Sequence, residues 1–142
     1  MGKKLDIVGV GTVAIDIIRT KEGKKMSLGG DVANTMAFLQ QLGLQTGFIG
    51  RVGSDKYGKA IVKDLASRSI DISRLRVHKT YPTTQCNIEI SGKEREIISV
   101  KYSKQISISP PDNEYMKSAR SLLVRTRSPY SEALCSFAKE SK

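Results

Sequence analysis

The stretch SLGGDVANTMAFLQQLGLQTGFIGRVGSDKYG, Ser27 to Gly58, restricts the fold more than any other part of the chain. A glycine pair (Gly29, Gly30) precedes a segment in which Val32, Ala33, Met36, Ala37 and Leu39 recur at helical spacing, and Gly43 after Leu42 is a natural stop. A helix is therefore expected over residues 31–42, followed by a buried strand from Thr46 to Gly50 and a second glycine-rich turn. Four N–H groups at a helix start lack intrahelical partners, so two residues without β-carbons placed there make a natural donor site for ligand oxygens. Asn34 stands one turn further on and can aim its amide at the same place.

Before this stretch, LDIVGV (Leu5–Val10) reads as a strand buried on both faces of a parallel sheet. Leu5–Val10, the helix and the Thr46 strand then form a βαβ-like unit. Gly9, Gly11 and Ala14 spell G-x-G-x-x-A, which looks like a dinucleotide fingerprint. That fingerprint needs a helix at once, whereas Val13, Ile15, Ile17 and Ile18 favour extended structure. Asp16 follows the first strand, at the edge where open α/β sheets place ligands, and a carboxylate there can accept hydrogen bonds from sugar hydroxyls or serve as a turn residue. TKEGKK (20–25) is a polar turn between two short strands.

Further on, Ser54 or Asp55 caps a second helix carrying Tyr57, Ile61, Val62, Leu65 and Ala66. Residues 70–82 read as a connection. Thr83 to Tyr102 reads as a hairpin, with QCNIEI and REIISVKY alternating around SGKE; having one face to bury, it must lie over something. Pro110-Pro111 primes a helix over 112–119, Ser121–Val124 is a short strand, and Ser128-Pro129 starts a last helix with Tyr130, Ala133, Leu134, Phe137 and Ala138 inward. Three parallel strands are few for a doubly wound sheet, so a small variant or a missing C-terminal half is expected.

The formal net charge of +10 raises nucleic acid as a partner. The charges lie in small groups among acidic residues, without interleaved aromatics, and read as a solvated surface rather than a nucleic-acid footprint. Cys86 and Cys135 lie too far apart for a zinc or redox motif and read as buried free thiols of a reducing compartment. His78 has no ligand-like neighbours and reads as a surface or partly buried imidazole. No apolar run approaches the roughly 20 residues that span a bilayer, and Asp6 interrupts any signal-like start. A cytoplasmic protein without membrane contact is expected.

Taken together, Leu28-Gly-Gly-x-x-x-Asn34, the small residues of the helix after it, Gly43, and Gly50-x-Val-Gly53-x-Asp55-x-x-Gly58 resemble the N-terminal signature of the ribokinase-like carbohydrate kinases, the PfkB family. The likeness continues through Asp71-Ile72, Thr83-Thr84 and the hairpin, and more loosely beyond Tyr102. It implies an α/β fold, a ribokinase-like doubly wound parallel sheet with a small β-lid hairpin at about 83–102, the chain being the N-terminal portion of the kinase domain. It implies Asp16 as the aspartate that binds sugar hydroxyls, Gly29 and Gly30 as the pair whose backbone lies against the sugar, and Asn34 as the asparagine that hydrogen-bonds it. A small-molecule sugar is the implied partner, with a homodimer through the lid. ATP and Mg2+ are implied for the complete family enzyme.

The departures are equally specific. The family's D-T-x-G-A-G-D motif, which supplies the anion hole and the general base, is absent from the sequence, and most of the nucleotide site goes with it. The expected function is ATP-dependent phosphorylation of a sugar hydroxyl, with this chain carrying the sugar-binding half and inactive alone. A non-catalytic sugar-binding or regulatory module and a small dinucleotide-binding oxidoreductase domain are the alternatives. The short Asp16–Gly29 segment implies abbreviated first lid strands, and Arg127, where some ribokinases carry an acidic sugar contact, argues against ribose and toward an acidic sugar.

Overall fold

The computed structural model describes residues 4–104, 106–125 and 131–141. Among them two four-stranded sheets share the chain. The body is an all-parallel sheet of β1 (Leu5–Val10), β4 (Thr46–Gly53), β5 (Leu75–His78) and β8 (Ala119–Val124), in the order β5-β4-β1-β8. The second sheet contains β2 (Ala14–Thr20), β3 (Gly23–Gly29), β6 (Thr84–Ser91) and β7 (Glu94–Lys101), in the order β3-β2-β6-β7. Its central pair β2–β6 is parallel and its outer pairs are antiparallel.

Helices cover both faces of the body. On one side α1 (Asp31–Gln41) and α2 (Lys56–Ser67) pack Val32, Met36, Ile61 and Leu65 against Phe48 and Val52 of β4, together with Ile15 and Ile17 of β2. On the other, α3 (Pro110–Lys117) and α4 (Ser131–Glu140) bring Met116 and Leu134 onto Leu5, Val8, Val10 and Ile49. Alternate residues of β4 thus serve opposite cores, which is why that strand reads as one continuous apolar run.

Gly9 in β1 and Gly11 just after it exist for packing. A β-carbon on Gly9 would lie 2.7 Å from Met36 Cγ, and one on Gly11 2.8 Å from Val32 Cγ2. G-x-G-x-x-A therefore seats α1 against the sheet, and it leads into strand β2 rather than into the helix a dinucleotide fingerprint requires.

Several expectations need correction. Leu75–His78 is a fourth parallel strand inside the segment read as a connection; among the described residues it pairs with β4 alone and is too short and half-buried to show a buried-strand pattern. Helix α3 begins at Pro110, because proline lacks only an N–H that the first turn leaves unbonded in any case. Neither cysteine is fully buried, Cys86 being intermediate and Cys135 exposed, and Ala133 faces solvent. The strands flanking the 20–25 turn are not abbreviated: β2 and β3 run seven residues each. The 83–102 hairpin is β6–β7, and it extends the β2–β3 sheet by edge pairing rather than lying across it. The Ser128-Pro129 start, Tyr130 and Arg127 lie outside the described residues.

Candidate functional site

The second sheet joins the body at the C-terminal edge of the parallel strands, where open α/β sheets bind ligands. β1 passes through residues 11–13 into β2, β5 passes through 79–83 into β6, and β3 returns directly into α1. At that last junction Gly29 ends the strand and Gly30, with φ +95°, is the N-cap of the helix. Gly30 needs its glycine twice over: its φ is in the left-handed region, and a β-carbon would lie 2.5 Å from the Thr12 carbonyl oxygen. No side chain caps α1 through Gly30. Asp31 Oδ1 accepts from the Val32 N–H at 2.9 Å, and the Asn34 N–H closes the first turn on the Gly30 carbonyl at 2.9 Å.

Asp16 lies on β2 beside this junction. A β-carbon on Gly29 would sit 2.1 Å from Asp16 Oδ1, so the glycine is the space into which the carboxylate folds. Burial raises the Asp16 carboxyl above its ordinary value, and the Arg95 guanidinium acts in the opposite sense. Among the described residues no donor is hydrogen-bonded to this carboxylate. A partly buried carboxylate in that condition still has its acceptor capacity to offer a hydroxylated ligand. Asn34 is exposed on the first turn of α1. The structure thus gathers Asp16, Gly29, Gly30 and Asn34 at one strand–helix junction.

One structural link was not legible in the sequence, the bond between Asp55 and Thr83. Asp55 is the N-cap of α2, and its Oδ1 accepts from Tyr57 N (3.0 Å) and Gly58 N (2.9 Å). The same carboxylate also holds Thr83, the residue that opens β6: Oδ2 accepts from Thr83 N and Oδ1 from Thr83 Oγ1, both at 2.8 Å. Thr83 Oγ1 in turn accepts from Gly53 N at 2.9 Å. Burial pushes the Asp55 carboxyl up, but the bonds from Thr83, Gly58 and Tyr57 outweigh it and hold it low. Gly53 and Gly58 complete the knot, since β-carbons there would meet Thr83 N at 2.7 Å and the Gly53 carbonyl at 1.8 Å. G-x-V-G-x-D-x-x-G therefore ties the root of the second sheet to the body.

A second anchor lies at the far side of the sheet edge. Asp112, fully buried, accepts from Ser109 N (2.8 Å) and Oγ (2.7 Å) and pairs with Arg74 at 2.8 Å and with Arg76. It fixes α3 against β5. His78 is partly buried, with Nδ1 accepting from Thr80 N and its ring 4.5 Å from that of Tyr81.

A model of the pfkB family of carbohydrate kinases matches residues 4–138. The chain belongs to that family. Among curated relatives, a 5-dehydro-2-deoxygluconokinase of Clostridium perfringens is 30% identical over 135 residues, which cover 86% of this chain and 40% of the relative. A fructokinase of Klebsiella pneumoniae is 27% identical over 106 residues, covering 72% of this chain and 34% of the relative. Among solved structures, Arabidopsis thaliana ribokinase complexed with ribose and ATP superposes with a TM-score of 0.84 at 21% identity, over 98% of this chain and 51% of that one. Halothermothrix orenii fructokinase gives a TM-score of 0.83 at 20% identity, over 96% and 54%. This pfkB-family chain thus has the ribokinase-like α/β fold and spans about half the length of its structural neighbours.

The fit of ATP and Mg2+ to the residues present is poor. Among the described residues no three His, Cys, Asp or Glu side chains gather to hold a metal, and no second glycine-rich phosphate motif occurs in the sequence. No helix among the described residues is long and apolar enough to cross a membrane.

Proposed function

We propose that residues 1–142 are the N-terminal portion of a kinase domain that phosphorylates a sugar hydroxyl with ATP and Mg2+, and that this portion recognises the sugar. Asp16 accepts hydrogen bonds from sugar hydroxyls, the backbone of Gly29 and Gly30 lies against the sugar, and Asn34 bonds to it through its side-chain amide. The second sheet acts as a lid, hinged at the Asp55–Thr83 knot; closure over the sugar excludes water from the transferred phosphoryl group. The observation that carries this reading is the Asp16 carboxylate, half-buried and without a donor among the described residues, folded over Gly29 beside an uncapped helix start. A named dehydrodeoxygluconokinase and a named fructokinase among the relatives support a sugar substrate.

Phosphoryl transfer rests on positioning and electrostatic stabilisation, and this chain offers neither the family's anion hole nor its base. Alone it binds sugar without turning over ATP, which is also what a non-catalytic sugar-binding module would do. Ile97 and Ile98, each about half exposed on β7 at one edge of the second sheet, are the surface on which two copies would pair. The test is a coupled ADP-release assay on the purified chain with D-ribose, D-fructose and D-gluconate, run beside calorimetric titration of each. Heat of binding without ADP release is expected. Sugar-dependent ADP release contradicts the assigned inactivity, and no binding of any sugar contradicts the recognition role.

A further inference from the structure

Helix α2 buries Gly58, Ile61 and Leu65 against the body. Beside that face, Lys59, Val62, Lys63 and Ala66 recur at i, i+3, i+4 and i+7 and so form a second stripe. This stripe is one wall of an open apolar groove of about 300 Å³, and Val77 of β5 is the other. Val77 stands in register with Val52 of β4, which is fully buried, yet Val77 itself is 57% exposed. The sheet thus carries an apolar row out to its edge and leaves the last member uncovered. None of Asp16, Gly29, Gly30 and Asn34 lines the groove.

The backbone along the groove is open as well. β5 is the outermost strand of the body sheet. The Ser54 N–H donates to the His78 carbonyl at 3.0 Å, and Arg76 and His78 stand opposite Arg51 and Gly53 of β4. Backbone groups alternate sides along a strand, so Val77, between them, turns its N–H and C=O outward, and neither has a partner among the described residues. The rim is cationic. Lys59 and Lys63 are exposed, line the groove with their hydrocarbon stems, and make no ion pair among the described residues. The acid of this helix, Asp64, is held by Arg68 at 2.9 Å, and no carboxylate lines the groove. A formal net charge of +10 opposes a second copy at such a rim and favours an acidic occupant.

We propose that the groove between α2 and β5 docks an extended segment of a partner protein in which apolar residues are flanked by Asp or Glu. The segment adds a strand to β5 through the free N–H and C=O of Val77. Its apolar side chains fill the groove, and its carboxylates meet Lys59 and Lys63. In strand addition of this kind the main-chain bonds supply affinity and the side-chain pocket selects the sequence.

The test titrates the 142-residue chain against a fluorescein-labelled peptide with blocked ends, Glu-Glu-Val-Glu-Val-Glu-Glu, and against its counterpart with Lys in place of every Glu, read by fluorescence anisotropy. The acidic peptide is expected to bind saturably, roughly 10-fold or more tightly than the basic one, and to weaken as salt is added. Reversing both rim charges, Lys59→Glu with Lys63→Glu, should weaken it roughly 10-fold, the scale of two exposed ion pairs turned into repulsions. Val77→Asp should abolish binding. All three positions are exposed, so the variants should keep the wild-type thermal melt. The Val77 amide should shift in a 1H–15N spectrum as the acidic peptide is added. No saturable binding, equal affinity for the two peptides, or an affinity unchanged in either variant overturns the proposal. Concentration-dependent dimerisation that Val77→Asp abolishes would give the groove to a second copy, and that result overturns it too.

Discussion

Replacing Asp55 with asparagine tests the knot at the lid root. The side chain keeps its size, and one oxygen can still accept from Tyr57 and Gly58 N–H. The group facing the buried Thr83 N–H becomes a donor, so two donors confront each other where a carboxylate oxygen accepted at 2.8 Å. Thr83 is fully buried, and water has little access to compensate. A hydrogen bond to a charged group is worth about 1.5–3 kcal/mol, and leaving a buried donor unsatisfied costs a similar amount. Allowing for partial relaxation, the expected destabilisation is about 3 kcal/mol, or roughly 10 °C in Tm for a chain of this size. The pH dependence adds a second, independent signature. Asp55 is held below its ordinary value in the folded chain, so its contribution is present above the unfolded pKa of about 3.9 and is lost as pH falls through the folded value. The stability gap between wild type and Asp55→Asn should therefore be widest above about pH 5 and narrow below about pH 4. Urea unfolding of both proteins across that range measures it. A gap below about 0.5 kcal/mol at pH 7, or one that does not change with pH, would refute the account of the knot.

Three further outcomes follow from the same geometry. Gly29→Ala should displace the Asp16 carboxylate and abolish sugar binding while costing little stability, whereas Gly30→Ala, strained at φ +95°, should lose about 1–3 kcal/mol as well; titration and thermal melts separate them. Asp112→Ala leaves Arg74 and Arg76 without their shared carboxylate and should cost about 3 kcal/mol in denaturant unfolding, the range for one partner removed from a buried pair. Under native conditions Cys135 should react with a thiol reagent well before Cys86, because Cys135 is exposed while burial and the Asp16 charge push the Cys86 thiol up; equal rates would place Cys86 in a different environment.

Local signals in this chain were readable and distant ones were not. The helix after Gly30, the strands at Leu5 and Thr46 and the 83–102 hairpin all announce themselves through periodicity and glycine stops. Strand β5 does not, because four half-buried residues at a sheet edge carry no distinguishing pattern. Asp55 was legible as a cap, since its N–H partners are two and three residues away; its grip on Thr83 spans 28 positions and only the fold reveals it. Gly9 and Gly11 suggested a nucleotide, yet their small size serves Val32 and Met36. The family signature singled out the glycine pair and Asp16, and the structure places them at one strand–helix junction.

The central claim is that sugar recognition resides in this chain at the β3–α1 junction. Its most direct test is a 1H–15N titration of the labelled protein with D-gluconate, followed through the amides of Gly29, Gly30 and Asn34. Saturable shifts concentrated at those amides, absent in Asp16→Asn although that variant keeps its native spectrum, are the predicted result. Shifts confined to other surfaces, or identical titrations of wild type and Asp16→Asn, would contradict it.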